Sequence, residues 1–149
     1  MAEAVSATPP RQRELVVDSM RTRLLEAGPE SAAEAVVFVH GNPNSAVEWS
    51  DLVARTGEFA RAVALDMPGF GTTEAPSGFA YPVEGYINFL SSALEQLGIE
   101  RAHLVLHDFG GPWGLGWAIT HPDNFASVVL INTGVLIGFE MHRTGRIWG

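Results

Sequence analysis

Short, uninterrupted apolar runs recur along this 149-residue chain and restrict its fold more than any other feature. The four clearest are Val36–Val39, Ala62–Leu65, Leu104–Leu106 and Val128–Ile131. Apolar runs this short and without alternation are typical of strands that are buried on both faces, as in a parallel sheet. The chain is therefore predicted to form a sheet that helices cover on both sides.

Helical patterns separate these runs. The clearest has apolar residues at positions 86, 89, 90, 93, 94 and 97, the spacing of one helix face, and ends at Gly98. The segment Ser45–Glu48 fits a capping box that opens a second helix, which should end near Gly57. A third helix is predicted from residue 110 to residue 120, before Pro122. The alternation of strands and helices predicts the α/β class with a mostly parallel sheet.

Two further strands are predicted ahead of the first run, at Glu14–Asp18 and Arg21–Leu25, as an antiparallel hairpin on the sheet edge. We expect residues 1–13 to be a disordered tail and residues 14–134 to form a core of six strands. Residues 135–149 contain neither a helix stop nor a return strand, so we expect them to begin a region that this chain does not complete. The sequence gives no indication of the oligomeric state.

Composition excludes several classes of function. The nine basic residues are all arginine and face 17 acidic ones, and a net charge of −8 disfavours nucleic acid and anionic membranes as partners. Cysteine and lysine are absent, which excludes thiolate nucleophiles, cysteine zinc sites, the Walker A lysine and Schiff bases. The first ten residues lack the features of a secretory signal, so a cytoplasmic location is predicted. His103 and His107 mimic a zinc pair without its glutamate or helix, so no metal and no cofactor is predicted.

Three glycine-containing segments follow successive buried strands. They are His40–Pro43, Asp66–Gly71 and His107–Gly111. Sites in open parallel sheets form outside the carboxyl ends of the strands, and glycine permits tight turns from strand to helix. The third segment places Asp108 at a predicted helix N-terminus, where the helix dipole favours a carboxylate. These segments are therefore the candidate site.

In this order the three segments resemble the α/β-hydrolase superfamily, and within it the branch of epoxide hydrolases and haloalkane dehalogenases. The resemblance covers residues from about 14 to 140. The segments look like that branch's HG-x-P segment, its D-x-P-G-x-G turn and its nucleophile elbow, the strained turn that lifts a nucleophile above the sheet. The resemblance implies an α/β-hydrolase fold with Asp108 as nucleophile. It also implies that residues 14–134 are the amino-terminal part of the hydrolase core and that residues 135–149 begin a cap region that is missing here.

A carboxylate nucleophile can displace a leaving group at an sp3 carbon and form an alkyl-enzyme ester that water then cleaves. The backbone amides of Asn42 and Phe109 are the predicted donors to the oxyanion on Asp108, because Pro43 has no amide to offer. Trp113 is a candidate for lining the substrate site, although close packing of helix on sheet explains it equally simply. A structural role in the turns is predicted for His40, Gly41, Pro43, Gly110 and Gly111.

Single residues distinguish an epoxide oxygen from a halide as the leaving group. Phe109 stands where dehalogenases of this branch usually carry a tryptophan that grips the halide, and phenylalanine has no donor. The sequence therefore favours an epoxide hydrolase-like enzyme acting on a small apolar substrate with water. A haloalkane dehalogenase-like enzyme is the alternative, since Asn42 resembles the other half of the halide clamp.

The family mechanism also needs a histidine base and an orienting acid, and none of the five histidines fits the base. This chain is expected to be alkylated once at best, without turnover. A catalytically incomplete fragment, or a non-catalytic binding module, is the competing hypothesis. Asp108 has a simpler alternative as a helix N-cap, worth about 1 kcal/mol. A serine esterase is disfavoured because G-x-S-x-G does not occur.

Overall fold

The computed structural model describes residues 7–134, which contain six strands, three α-helices and one short 3-10 helix. In chain order the elements are β1 (Arg11–Val17), β2 (Met20–Ala27), β3 (Glu34–Val39), the 3-10 helix (Ala46–Trp49), α1 (Ser50–Thr56), β4 (Arg61–Leu65), α2 (Val83–Gln96), β5 (Arg101–His107), α3 (Gly110–Thr120) and β6 (Phe125–Ile131).

The described strands form one sheet in the order β1-β2-β4-β3-β5-β6. Strands β4, β3, β5 and β6 are parallel, and the hairpin of β1 and β2 joins β4 antiparallel. Val37 on the central strand pairs with Val63 on one side and Leu104 on the other. The predicted mostly parallel α/β sheet with an antiparallel edge hairpin is confirmed.

Helices cover both faces of the sheet, as predicted. Helices α2 and α3 pack on one face, where Val37, Phe89 and Leu104 are among the buried side chains. The 3-10 helix covers the other face, where Phe38 and Trp49 pack with their rings 5.4 Å apart. Continuous apolar runs arise because both sides of β3, β4 and β5 face helices.

The start of the first strand differs from the prediction. Strand β1 begins at Arg11, inside the expected tail, because Arg11 pairs with Glu26 and Arg13 lies 3.4 Å from the carboxylate of that same residue. Polar and charged residues at an exposed strand end carry no apolar signal, so the sequence pattern misses them. Of the expected tail, residues 1–6 lie outside the described residues, as do residues 135–149, where an uncompleted region was expected.

Candidate active site

The three glycine-containing segments lie together at the carboxyl edge of the parallel strands. The first follows β3, the second follows β4 and the third joins β5 to α3. These strands are direct neighbours in the sheet, so their ends converge on one edge. This edge of the sheet is therefore the candidate active site.

Asp108 occupies a strained turn between β5 and α3. Its φ is 51°, in the left-handed region that a residue with a side chain enters at a cost of roughly 1–3 kcal/mol. Its backbone carbonyl accepts hydrogen bonds from the amide of Gly111 at 3.1 Å and from the hydroxyl of Thr133 at 2.5 Å. The surrounding contacts therefore hold Asp108 in this conformation.

Two glycines leave room for this turn. A Cβ atom on Gly41 would overlap the Asp108 side chain, and one on Gly110 would overlap the carbonyl of Val39. The loop after β3 and the start of α3 can approach each other closely only because both positions lack a side chain.

The amide of Asn42 donates a hydrogen bond of 2.9 Å to Oδ1 of Asp108. The structure thus brings together the predicted nucleophile and one predicted oxyanion donor, although 66 residues separate them in sequence. Phe109 follows directly as the N-cap residue of α3, and its side chain is 43% exposed. The Asp108 carboxylate accepts from Asn42, and among the described residues helix α3 has no side-chain capping bond at its N-terminus, so the structure does not support the alternative role of Asp108 as a capping side chain.

Trp113 lies beneath this edge. It is 3% exposed, and its ring stacks on Tyr86 of α2 with centroids 4.1 Å apart. The ring centroid of Trp113 also lies 5.9 Å from that of Phe70 and 6.2 Å from that of Phe109. This geometry favours the packing interpretation of Trp113 over a place on the substrate-binding surface.

His40 is fully buried and joins two of the segments. Its Nδ1 donates to the carbonyl of Gly41 at 2.8 Å, and its Nε2 accepts from the amide of Met67 at 2.9 Å. Burial lowers the pKa of His40, because the charged imidazolium would lose its hydration. A neutral ring with the proton on Nδ1 therefore ties the turn after β3 to the turn after β4.

The capping box predicted at Ser45 and Glu48 is wrong. Ser45 occupies the N-cap position, but within the described part of the chain its side chain makes no capping bond. The first helical amide, that of Ala46, is bound instead by Oδ1 of the buried Asp66 at 2.8 Å, while Oδ2 accepts from the amide of Thr72 at 2.8 Å. The carboxylate of Asp66, at the end of the neighbouring strand, thus binds the helix terminus in place of a local capping side chain. The spacing of residues in the sequence does not reveal this contact.

Glu48 has a different environment, which the sequence analysis missed. Its Oε1 lies 3.3 Å from Nδ1 of His107, and its Oε2 accepts from the side-chain amide of Asn44. The side chain of Glu48 is 15% exposed. Burial raises the pKa of Glu48, against the opposing effect of His107. Because Glu48 was assigned to a capping box, its contacts with His107 and Asn44 were not predicted.

Residues 7–134 lack the features of two other kinds of site. They contain no group of three or more histidine, aspartate or glutamate side chains arranged to hold a metal ion. Within the same residues, every helix is too short or too polar to cross a membrane.

Comparisons with known proteins agree with the motifs. Residues 34–146 match the family model described as the alpha/beta hydrolase fold. A haloalkane dehalogenase from Mycolicibacterium smegmatis is 37% identical over 110 residues, which cover 70% of this chain and 35% of the relative. A cis-3-alkyl-4-alkyloxetan-2-one decarboxylase from Shewanella oneidensis is 34% identical over 108 residues, which cover 70% of this chain and 34% of the relative.

Solved structures give the same result. The crystal structure of epoxide hydrolase A from Mycobacterium thermoresistibile matches with a TM-score of 0.74 and 30% identity, over 83% of this chain and 39% of that one. The resemblance to epoxide hydrolases and haloalkane dehalogenases is confirmed. This chain spans about a third of the length of the two curated relatives.

Proposed function

This chain belongs to the alpha/beta hydrolase fold family, and on that premise we propose that it supplies the aspartate nucleophile of an epoxide hydrolase-like enzyme. The observation that carries the proposal is the carboxylate of Asp108, which projects from a strained elbow and accepts the amide of Asn42 on Oδ1. A small apolar epoxide and water are the proposed reactants.

In the first step Oδ2 of Asp108 attacks an sp3 carbon of the substrate, and the bond from that carbon to the leaving oxygen breaks with its electron pair. The product is an ester between Asp108 and the opened substrate, whose alkoxide oxygen takes a proton from water. Oδ1 becomes the carbonyl oxygen of this ester and remains on the amide of Asn42.

In the second step water adds to the ester, and negative charge develops on Oδ1. The amide of Asn42 already points at that oxygen, and the amide of Phe109 is the second proposed donor. Loss of one such donor typically reduces the rate on the order of 10²-fold or more. Collapse of the intermediate releases a diol and restores the carboxylate of Asp108.

A haloalkane dehalogenase-like reaction is the second candidate. The 37% identity to a dehalogenase and the presence of Asn42 favour it, since the Asn42 side chain is exposed beside the nucleophile. Phe109 opposes it, because a phenyl ring cannot donate a hydrogen bond to a departing halide.

We further propose that this chain by itself lacks the base of the second step. The four histidines of the described residues make bonds away from Asp108: His40 to Met67, His103 to Glu34, His107 to Glu48 and His121 to Ser91. His142 lies outside the described residues. The expected product of the chain alone is a single stable adduct. A non-catalytic binding module is the competing proposal.

Intact mass spectrometry after incubation with styrene oxide or 1-bromobutane tests the proposal. We expect one covalent adduct, mapped to Asp108, and its loss in Asp108→Asn, because a neutral amide is not a nucleophile. Asp51→Asn is the matched control, since Asp51 is an exposed carboxylate on α1 that pairs with Arg55. An adduct that persists in Asp108→Asn contradicts the nucleophile assignment, and sustained release of diol by wild type contradicts the missing base.

A further inference from the structure

A second carboxylate sits behind the proposed nucleophile and serves neither as cap nor as surface charge. Glu48 projects from the 3-10 helix and contacts both Asn44 and His107 through its two oxygens. The capping position that it would otherwise fill is taken, because the amide of Ser45 is bound by Oδ1 of Asn44 at 3.0 Å. Its two contacts therefore need another explanation.

The two partners of Glu48 belong to the two chain segments that make the site. Asn44 lies two residues after Asn42, and its backbone amide donates to the carbonyl of Gly41 at 3.0 Å. Asn44 therefore shapes the turn that orients the backbone amide of Asn42. His107 directly precedes Asp108 at the end of β5. Through Asn44 and His107, Glu48 thus links the two segments that carry the donor and the acceptor of the 2.9 Å hydrogen bond.

The bridge is partly shielded from solvent on the His107 side, whereas Asn44 is exposed. Glu48 and His107 have side chains 15% and 31% exposed, and the buried ring of Trp49 lies edge-on to His107 with centroids 6.2 Å apart. Hydrogen bonds to a charged group gain strength when water is excluded. A fully exposed contact would contribute little to holding two loops in register, whereas the partly buried contact of Glu48 with His107 is placed to do so.

We propose that Glu48 is a positioning residue whose carboxylate, through Asn44 and His107, holds the amide of Asn42 against Asp108. This inference rests on the proposed function of Asp108 as the nucleophile. Glu48 contacts neither substrate nor reacting atoms. Its task is to supply two acceptors, one for each segment, so that the oxyanion site is formed before substrate arrives.

The charge of Glu48 is essential to this role. Asn44 and an Nδ1-protonated His107 both donate, so a protonated Glu48 would turn one acceptor into a competing donor. The titratable groups that face it are His107, which favours its ionised form, and Asp108, which disfavours it. Glu48→Gln imposes the same mismatch permanently, because an amide offers one acceptor and one donor.

The rate at which 1-bromobutane alkylates Asp108 tests the proposal. In this step the Asp108 oxygen forms a bond to carbon while bromide leaves with its electron pair, so no proton donor affects the rate. We expect Glu48→Gln to lower the limiting rate roughly 10- to 100-fold, as a displaced reacting group does, with the half-saturating concentration within about twofold. Asp51→Asn, which removes an exposed charge from the next helix, should react like wild type.

The acid side of the pH profile separates positioning from general destabilisation. Wild type needs both Asp108 and Glu48 ionised for its full rate, so lowering the pH should reduce its rate more than that of Glu48→Gln, which lacks the second ionisation. Equal rates and slopes in the two proteins overturn the inference while leaving the nucleophile in place. If Glu48→Gln does not fold, Asn44→Ala removes one of the two contacts of Glu48 and should also lower the alkylation rate, and a wild-type rate in Asn44→Ala overturns the inference. Absence of any wild-type adduct removes the proposed function and this inference with it.

Discussion

The amide of Asn42 and the Oδ1 atom of Asp108 are joined by a 2.9 Å hydrogen bond that spans the ends of two neighbouring parallel strands. This bond exists because β3 and β5 pair in register, with Val39 opposite Leu106, so the residues that follow them face each other. The sheet, rather than the local sequence, sets the distance between donor and carboxylate. Disturbing either loop should therefore affect the site and leave the sheet intact.

Gly41→Ala is expected to displace the carboxylate of Asp108, because a Cβ atom at this position overlaps it. Labelling of Asp108 by styrene oxide should fall at least about tenfold, with a loss of about 1–3 kcal/mol in the free energy of unfolding. Gly98→Ala is the control: Gly98 has a positive φ of 65° but open space around it. It should lose about 1 kcal/mol of stability and keep its labelling rate. Full labelling of Gly41→Ala would contradict the close contact.

Buried His40 should make the free energy of unfolding depend on pH. Its pKa is lowered in the folded state by burial, so below about pH 6.5 the unfolded chain binds a proton that the folded chain does not. Stability is then complete above pH 6.5 and falls as the pH decreases, by up to about 1.4 kcal/mol per unit. Urea unfolding at pH 7.5 and 5.5 measures this loss, which should persist in a variant of the more exposed histidine, His103→Gln. A His40 ring that protonates near pH 6.5 by nuclear magnetic resonance would refute the explanation.

Replacing only one partner of the buried ion pair of Arg61 and Glu26 should strongly reduce the free energy of unfolding. Arg61 Nη2 lies 2.9 Å from Glu26 Oε1, both side chains are at most 2% exposed, and Arg61 also donates to the carbonyls of Ala32 and Leu97. Arg61→Met leaves a buried carboxylate without its main partner and is expected to cost about 3–5 kcal/mol in urea unfolding.

Two further variants test that explanation of the Arg61 loss. Adding Glu26→Gln to Arg61→Met should recover part of the stability, because the stranded charge is removed. Arg21→Met, which breaks the exposed pair with Glu14, should cost no more than about 1 kcal/mol. Equal losses at the buried and the exposed pair would contradict the role of burial.

The sheet, its parallel strands and the three segments at their ends were all predictable from the amino-acid sequence. Continuous apolar runs such as Val36–Val39 indicate burial on two faces. The same prediction is wrong for Val128–Ile131, because β6 is the last strand of the described sheet and Val129, Leu130 and Ile131 are exposed. Glycine and proline restrict the backbone locally, so the strand-to-helix turn at Asp108 was predictable as well. The helix from Gly110 to Thr120 has the bounds that were predicted.

The contacts between atoms of different segments follow from the tertiary structure and were not predictable from the sequence. The spacing of Ser45 and Glu48 predicts a local cap, yet Asp66 from another strand end binds the first helical amide. Glu48 is released to contact His107, 59 residues away. Local spacing describes contacts within a turn or a helix, whereas the partners of a buried carboxylate are chosen by whichever donors the sheet brings within reach. The strained turn at Asp108 was in the sequence, and the hydrogen bond that supports it is a product of strand pairing.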